Sequence, residues 1–318
     1  MKRKNVEDLE EGDDVRSTYS VKYKKPVRSY RNGFMFTLGL ADATGEVEAK
    51  YWGGRDEKKV KKVQEKIKPG DVLEVKGSAS EFKGNMQLNV EGSGLRKVED
   101  YNIEDFIEKT DRDIEEMFSS LQTKLGSIED PDISRLMDSF FEDDSFVEEF
   151  KKSPAAMFYH HNYIGGLMEH VLHMIELAEK ISDQHGSLDL DLLKVGCFLH
   201  DIGKMKEFEV TTNIKQSRSG LLTGHITLGQ EILLEKLRDI EKFPDNLKNK
   251  LLHIIVSHHG KAEYGAVKEP MFPEALVVHY LDQLDSQAVQ IIDLKENAKT
   301  EDFHKWTGKN RFGQIYLE

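Results

Sequence analysis

Apolar and polar positions follow two different periods along this chain, and the change of period marks its main division. Over the first hundred residues the period is two. In RNGFMFTLGLADATGEVEAKYW, Phe34, Phe36, Leu38 and Leu40 share one face, Asp42-Ala43-Thr44-Gly45 supplies a turn, and Val47, Ala49 and Tyr51 resume beyond it. Two alternating runs across a glycine-containing turn predict a β-hairpin. KPGDVLEVKGSASEFKGNMQLNV repeats the logic: a Pro69-Gly70 turn, a strand over 72–75, a glycine turn and a strand over 86–90. Between the two hairpins, residues 56–68 are charged with helical spacing.

Beyond Pro154 the apolar residues recur every three to four positions, which predicts helices over 166–181, 190–200, 225–238, 247–259 and 273–287. Residues 101–153 also carry helical spacing (Phe106, Ile107, Ile114, Phe118) and read as an acidic amphipathic connector. The chain therefore divides into a β domain over 1–100, the connector over 101–153, a helical domain over 154–300 and a tail over 301–318, where lysines and Arg311 surround Trp306 and Phe312.

A net charge of −13 argues at first against a nucleic-acid partner. Counted by segment, residues 1–100 carry 21 basic against 18 acidic side chains, and residues 101–152 carry 6 against 16. The acidity is concentrated in the connector, so global charge does not decide the partner. The single cysteine, Cys197, lies in an apolar run and reads as a core residue. No apolar stretch approaches the roughly 18 residues of a membrane span, and the N-terminus lacks the apolar run of a secretory leader. A cytoplasmic protein without membrane contact is expected.

The second half is rich in metal-ligand chemistry. His170, His200-Asp201, His225, His258-His259 and Asp282 follow one another over 113 positions. Imidazole with carboxylate suits borderline first-row cations, and seven such groups suit two cations better than one. A carboxylate can bridge two cations, so Asp201 is the natural shared ligand. Two cations side by side would supply hydroxide at neutral pH and stabilise the charge of an in-line displacement at phosphorus. Lys204, three residues on, would offer charge to a phosphate oxygen. Asp285 reads as a group orienting a ligand or substrate, while His173, His253 and His279 read as packing residues and His185 as solvated.

The order H…HD…H…HH…D resembles the HD-domain superfamily of metal-dependent phosphohydrolases. The segments HHNYIGGLMEHVLHM, FLHDIGK, GLLTGHITLGQEI, IIVSHHGKAEYGAVKEP and HYLDQLDSQ, behind strand–hairpin–helix–hairpin order, resemble the YhaM-type 3′–5′ exoribonucleases. The resemblance implies a multidomain fold: an N-terminal all-β OB-fold barrel and a C-terminal all-α HD domain. It also implies activity with Mn²⁺; Fe²⁺, Co²⁺, Ni²⁺ or Zn²⁺ remain open on ligand type. The expected partner is single-stranded RNA, with single-stranded DNA also possible, cut from the 3′ end to nucleoside 5′-monophosphates. A homo-oligomer is compatible with the resemblance. His160, His161, Arg218, Lys261 and Tyr264 flank the ligand motifs as substrate contacts, and Trp52 and Tyr30 are the aromatics placed to stack on bases. The alternative is a nucleotide or cyclic-dinucleotide phosphohydrolase whose OB-like domain is regulatory.

Overall fold

The computed structural model describes residues 4–157, 161–296, 304–306 and 313–316. Its backbone separates into two compact units, Met1–Lys109 with Val210–Lys215, and Thr110–Glu209 with Gln216–Glu318.

The first unit is an OB-fold barrel. Its strands are β1 (Asp14–Lys24), β2 (Arg28–Tyr30), β3 (Gly33–Asp42), β4 (Gly45–Trp52), β5 (Val72–Phe82) and β6 (Asn85–Val98), with helix α1 (Glu57–Lys66) between β4 and β5. They are ordered β1-β5-β6-β4-β3-β2, and β1 also pairs with β3, which closes the sheet. One long strand serves two neighbours: Asp14–Ser20 pairs with β5, and Ser20–Lys24 pairs with β3 past an irregularity between Val21 and Tyr23. A bulge there bends the strand round the barrel corner. Both predicted hairpins are present with longer strands. The β5–β6 turn is Lys83-Gly84 with φ of 55° and 78°, the left-handed pair that matches strand twist in a two-residue loop. Tyr19, Val21, Phe36, Leu38, Leu40, Val75, Leu88 and Val90 fill a core belonging to this unit alone.

The second unit is helical: α2 (Ile114–Gly126), α3 (Pro131–Phe141), α4 (Asp144–Lys152), α5 (Gly166–Gln184), α6 (Leu190–Leu199), α7 (Lys204–Glu207), α8 (Arg218–Arg238), α9 (Asp245–Ser257) and α10 (Pro273–Glu296). Between α7 and α8 in the chain lie the short strands β7 (Phe208–Val210) and β8 (Ile214–Gln216), of which Val210 and Ile214–Lys215 belong to the first unit. The segment expected as a connector over 101–153 is different in kind. From Thr110 onward it belongs to this unit, and Met117, Leu121, Leu125, Leu136, Phe140 and Phe150 lie in the same core as α5 and α6. Its acidity misled because several carboxylates have local duties. Asp113, Asp130 and Asp143 cap α2, α3 and α4, each accepting two backbone N–H groups, an arrangement that satisfies helix-end donors. Asp143 also takes a hydrogen bond from Lys236 at 2.8 Å, which holds its carboxyl well below the usual range. Cys197 is fully buried, and burial pushes its thiol pKa up, as expected of a core residue. Of the tail expected over 301–318, strands β9 (His304–Trp306) and β10 (Gln314–Tyr316) pair antiparallel. Among the described residues, no helix is long and apolar enough to cross a membrane.

Candidate metal centre

The centre is assembled from helix ends. Helix α6 stops at Leu199 and α9 at Ser257, and the histidine that follows each turns back on its own last turn: His200 Nδ1 lies 2.8 Å from the Cys197 carbonyl, and His258 Nδ1 lies 2.8 Å from that of Ile255. Each imidazole thereby serves a carbonyl that the helix end leaves unpaired. His259 Nδ1 is 2.8 Å from the Tyr264 carbonyl. His225 follows Gly224, whose φ of 72° and ψ of 163° break α8, and its Nδ1 meets Glu207 at 3.0 Å. His170, inside α5, has Nδ1 at 2.6 Å from Asp285. Carbonyls and carboxylates only accept, so all five rings carry their proton on Nδ1 and turn Nε2 inward.

The five Nε2 atoms converge with two carboxylates. His170 and His200 face each other Nε2 to Nε2 at 3.3 Å, as do His225 and His259. Asp201 stands between the two pairs. Its Oδ1 is 3.5 Å from Nε2 of both His225 and His258, and its Oδ2 is 3.3 Å from that of His200. Asp282 Oδ1 is 3.5 Å from His170 Nε2. The seven expected ligands thus form two groups, His170–His200–Asp201–Asp282 and His225–His258–His259, in each of which the ligand atoms lie within 4.8 Å of one another.

This donor set fits metal ions. The Nε2 lone pairs of His225 and His259 repel where they face each other at 3.3 Å, and neighbouring ligand atoms on one cation at ~2.1 Å stand roughly 3.0–3.4 Å apart in octahedral or tetrahedral geometry. Asp201 Oδ1 and His258 Nε2 are buried without a hydrogen-bond partner, a costly state unless something else occupies them. The electrostatics ask for positive charge. Burial works against protonation of His170, but Asp282 and Asp285 outweigh it and raise its pKa to about 9. Burial dominates at His258 and lowers it to about 4. Burial also opposes ionisation of Asp201, yet Lys204 and His200 hold its carboxyl well below the usual range.

The remaining expected residues separate into several environments. Lys204, the first residue of α7, donates directly to Asp201 Oδ2. His161 is buried, with Nε2 at 3.0 Å from Asp285 and Nδ1 at 2.8 Å from the Tyr163 hydroxyl; it braces the centre's surroundings and does not present an open substrate contact. His160 lies outside the described residues. Arg218, Lys261 and Tyr264 are exposed, and only Tyr264 touches the centre, through its carbonyl. In the barrel, Tyr30 and Trp52 meet edge to face with ring centroids 4.9 Å apart. Trp52 is anchored by its indole N–H on Asn89 at 2.9 Å.

Other functional residues escaped the sequence pattern. Glu207 sits in a charged stretch that reads as surface, yet it is buried against His225. His173, expected to pack, holds Asp285 Oδ1 at 3.0 Å. His253 and His279 do have structural partners, the Met271 N–H and the His258 carbonyl. Gly166 permits a close backbone approach: a Cβ there would stand 2.1 Å from the His161 carbonyl oxygen.

Comparison with known proteins agrees with this division. The HD-domain family model matches residues 167–287, and the OB-fold nucleic acid binding domain model matches residues 21–92. The chain is 34% identical over 260 residues to the 3′-5′ exoribonuclease YhaM of Bacillus subtilis, covering 80% of each chain. It is 32% identical over 296 residues to that of Bacillus velezensis, covering 91% of this chain and 90% of the relative.

Proposed function

The chain belongs to the YhaM-type 3′–5′ exoribonuclease family, and from that membership we propose that it shortens single-stranded RNA from the 3′ end at a two-metal HD centre. It is a hydrolase of phosphodiester bonds, and its products are read as nucleoside 5′-monophosphates, with single-stranded DNA as a second substrate. The observation that carries the reading is the orphaned Oδ1 of Asp201, 3.5 Å from Nε2 of both His225 and His258, in a carboxylate whose Oδ2 stands 3.3 Å from Nε2 of His200. Divalent ions at such a centre, for which Mn²⁺ is the first choice, supply a nucleophile at neutral pH and stabilise charge on the attacking and leaving oxygens.

The protein's own contribution is orientation. Backbone carbonyls of Cys197, Ile255 and Tyr264 fix three imidazoles, which keeps donor geometry independent of side-chain rotation. His170, His200, Asp201 and Asp282 would hold one ion, and His225, His258 and His259 the other, with Asp201 shared. Lys204 keeps Asp201 ionised, and its remaining N–H donors would meet a phosphate oxygen brought to that carboxylate. Arg218, Lys261 and Tyr264 are read as contacts to the 3′-terminal nucleotide. In the barrel, Trp52 and Tyr30 would stack on bases, since a base offers a π-face whatever its identity.

Two measurements check this. RNA and DNA oligonucleotides labelled at the 5′ or the 3′ end, incubated with the protein and Mn²⁺, should give a ladder shortening from the 3′ end, with mononucleotide released first from the 3′ label. Intact oligomers beside hydrolysed nucleotide or cyclic dinucleotide would favour a small-molecule phosphohydrolase instead. Separately, Trp52→Ala should raise the Kd for a single-stranded oligonucleotide by roughly 5- to 150-fold, the equivalent of ~1–3 kcal/mol for one stacked base. Fluorescence anisotropy reads this directly, and an unchanged Kd removes Trp52 from the strand-binding surface.

A further inference from the structure

The five inward-facing imidazoles are not held alike. Three lean on backbone carbonyls, while two, His170 and His225, place Nδ1 against buried carboxylates. The two fall in different ligand groups, so each prospective ion has one carboxylate-backed histidine. Asp285 is built into its place with some elaboration: Oδ2 accepts from His161 Nε2 at 3.0 Å and His170 Nδ1 at 2.6 Å, and Oδ1 accepts from His173 Nδ1 at 3.0 Å. Behind His161 stands Tyr163, whose hydroxyl donates to Glu169 at 3.0 Å. Glu207 has a tighter setting. It closes α7, its carbonyl accepts from Ser217 N at 2.8 Å, and a Cβ on Gly220 would lie 2.3 Å from that carbonyl oxygen. The backbone on both sides is therefore packed against Glu207, and its carboxylate has little freedom to leave His225.

We propose that Asp285 and Glu207 are positioning residues, each setting the orientation and basicity of one histidine and hence the occupancy of one metal position: Asp285 through His170, Glu207 through His225. The proposal rests on the two-metal reading above. A carboxylate behind a ligating imidazole fixes its tautomer and makes Nε2 a stronger donor than a neutral carbonyl does. Asparagine at 285 has one acceptor oxygen where three ring nitrogens now find two, so it cannot serve the whole cluster. Glutamine at 207 offers an acceptor without charge.

The test is Mn²⁺ binding to the full-length protein, counted by the loss of the free-ion electron paramagnetic resonance signal. The wild type should bind two ions. Asp285→Asn and Glu207→Gln should each weaken one ion by roughly 10- to 100-fold and leave the other, whose retention reports a folded centre. The side is assigned by double substitution. Asp285→Asn should add nothing to His170→Ala but should weaken the remaining ion of His259→Ala, and Glu207→Gln should do the reverse. Asp285→Glu and Glu207→Asp keep the charge and should bind Mn²⁺ more tightly than the amide variants; they carry the same test if an amide variant does not fold. Two ions in the wild type with unaltered variants, or losses that ignore the side, overturn the proposal. A wild type that binds one ion overturns the two-metal reading beneath it.

Discussion

Replacing Asp201 with alanine is expected to lower phosphodiester hydrolysis by at least about 10³-fold, or roughly 4 kcal/mol of barrier, while leaving strand binding within a factor of about two. The size follows from where Asp201 stands. Its Oδ1 faces Nε2 of both His225 and His258, and its Oδ2 faces His200 and takes the Lys204 ammonium. No other carboxylate among the described residues touches both histidine groups, so its loss removes the junction and not one ligand of several. Strand binding should survive because the barrel has its own core. Single-turnover hydrolysis of a 3′-labelled oligonucleotide across a Mn²⁺ titration, with anisotropy on the same strand, measures both quantities. Asp201→Asn is the companion variant: it keeps the shape and a partner for Lys204 but loses the charge, and it should be nearly as inactive. Activity above a tenth of wild type at any Mn²⁺ concentration would remove Asp201 from the centre of the mechanism.

The legible part of this site owes its legibility to helix ends. His200 and His258 each follow an apolar run that had to stop, and each turns Nδ1 onto the carbonyl three residues back. Sequence shows such a run and its terminal histidine directly. Partners supplied by distant segments leave no such trace. Glu207 lies in KMKEFEV, where charge on both sides imitates a solvated surface, and only the return of the chain at Ser217 and Gly220 buries it. His161 stands beside a ligand motif in sequence, which suggested a substrate contact, but its ring turns inward onto Asp285. The acidic segment shows the same limit at the scale of a domain. Met117, Leu121 and Leu125 carry a buried stripe at four-residue spacing, yet net charge counts an N-cap aspartate and a solvated glutamate alike. The barrel was easier because alternation and turn glycines are local signals.

Gly203 shows how closely the HDIGK segment is fitted to the centre, and Gly203→Ala carries the second large expected effect. The backbone at Gly203 is ordinary right-handed helix, φ −65° and ψ −17°, so alanine brings no conformational penalty there and only space matters. A Cβ at this position would stand 1.9 Å from the carbonyl oxygen of His225 and 2.5 Å from the amide nitrogen of Gly229. Both are backbone atoms of α8, which cannot step aside as a side chain could. Relief requires the loop carrying Asp201 and Lys204 to separate from α8 by roughly 1–1.5 Å. Overpacking against backbone costs about 3 kcal/mol, and the same displacement moves His225 away from Asp201, where a shift near 1 Å can cost roughly 10²-fold in rate. The helical unit should therefore melt about 6–12 °C lower, with activity reduced by about two orders of magnitude even where the protein remains folded. Gly126→Ala is the control. It sits at the end of α2 with nothing within 4 Å of its added Cβ, so the same methyl should stabilise by about 0.5–1 kcal/mol and leave hydrolysis untouched. Calorimetry with the labelled-strand assay on the two variants separates a steric clash at the centre from a general intolerance of glycine replacement. A Gly203→Ala protein that melts and cuts like wild type would mean that α7 and α8 do not approach this closely.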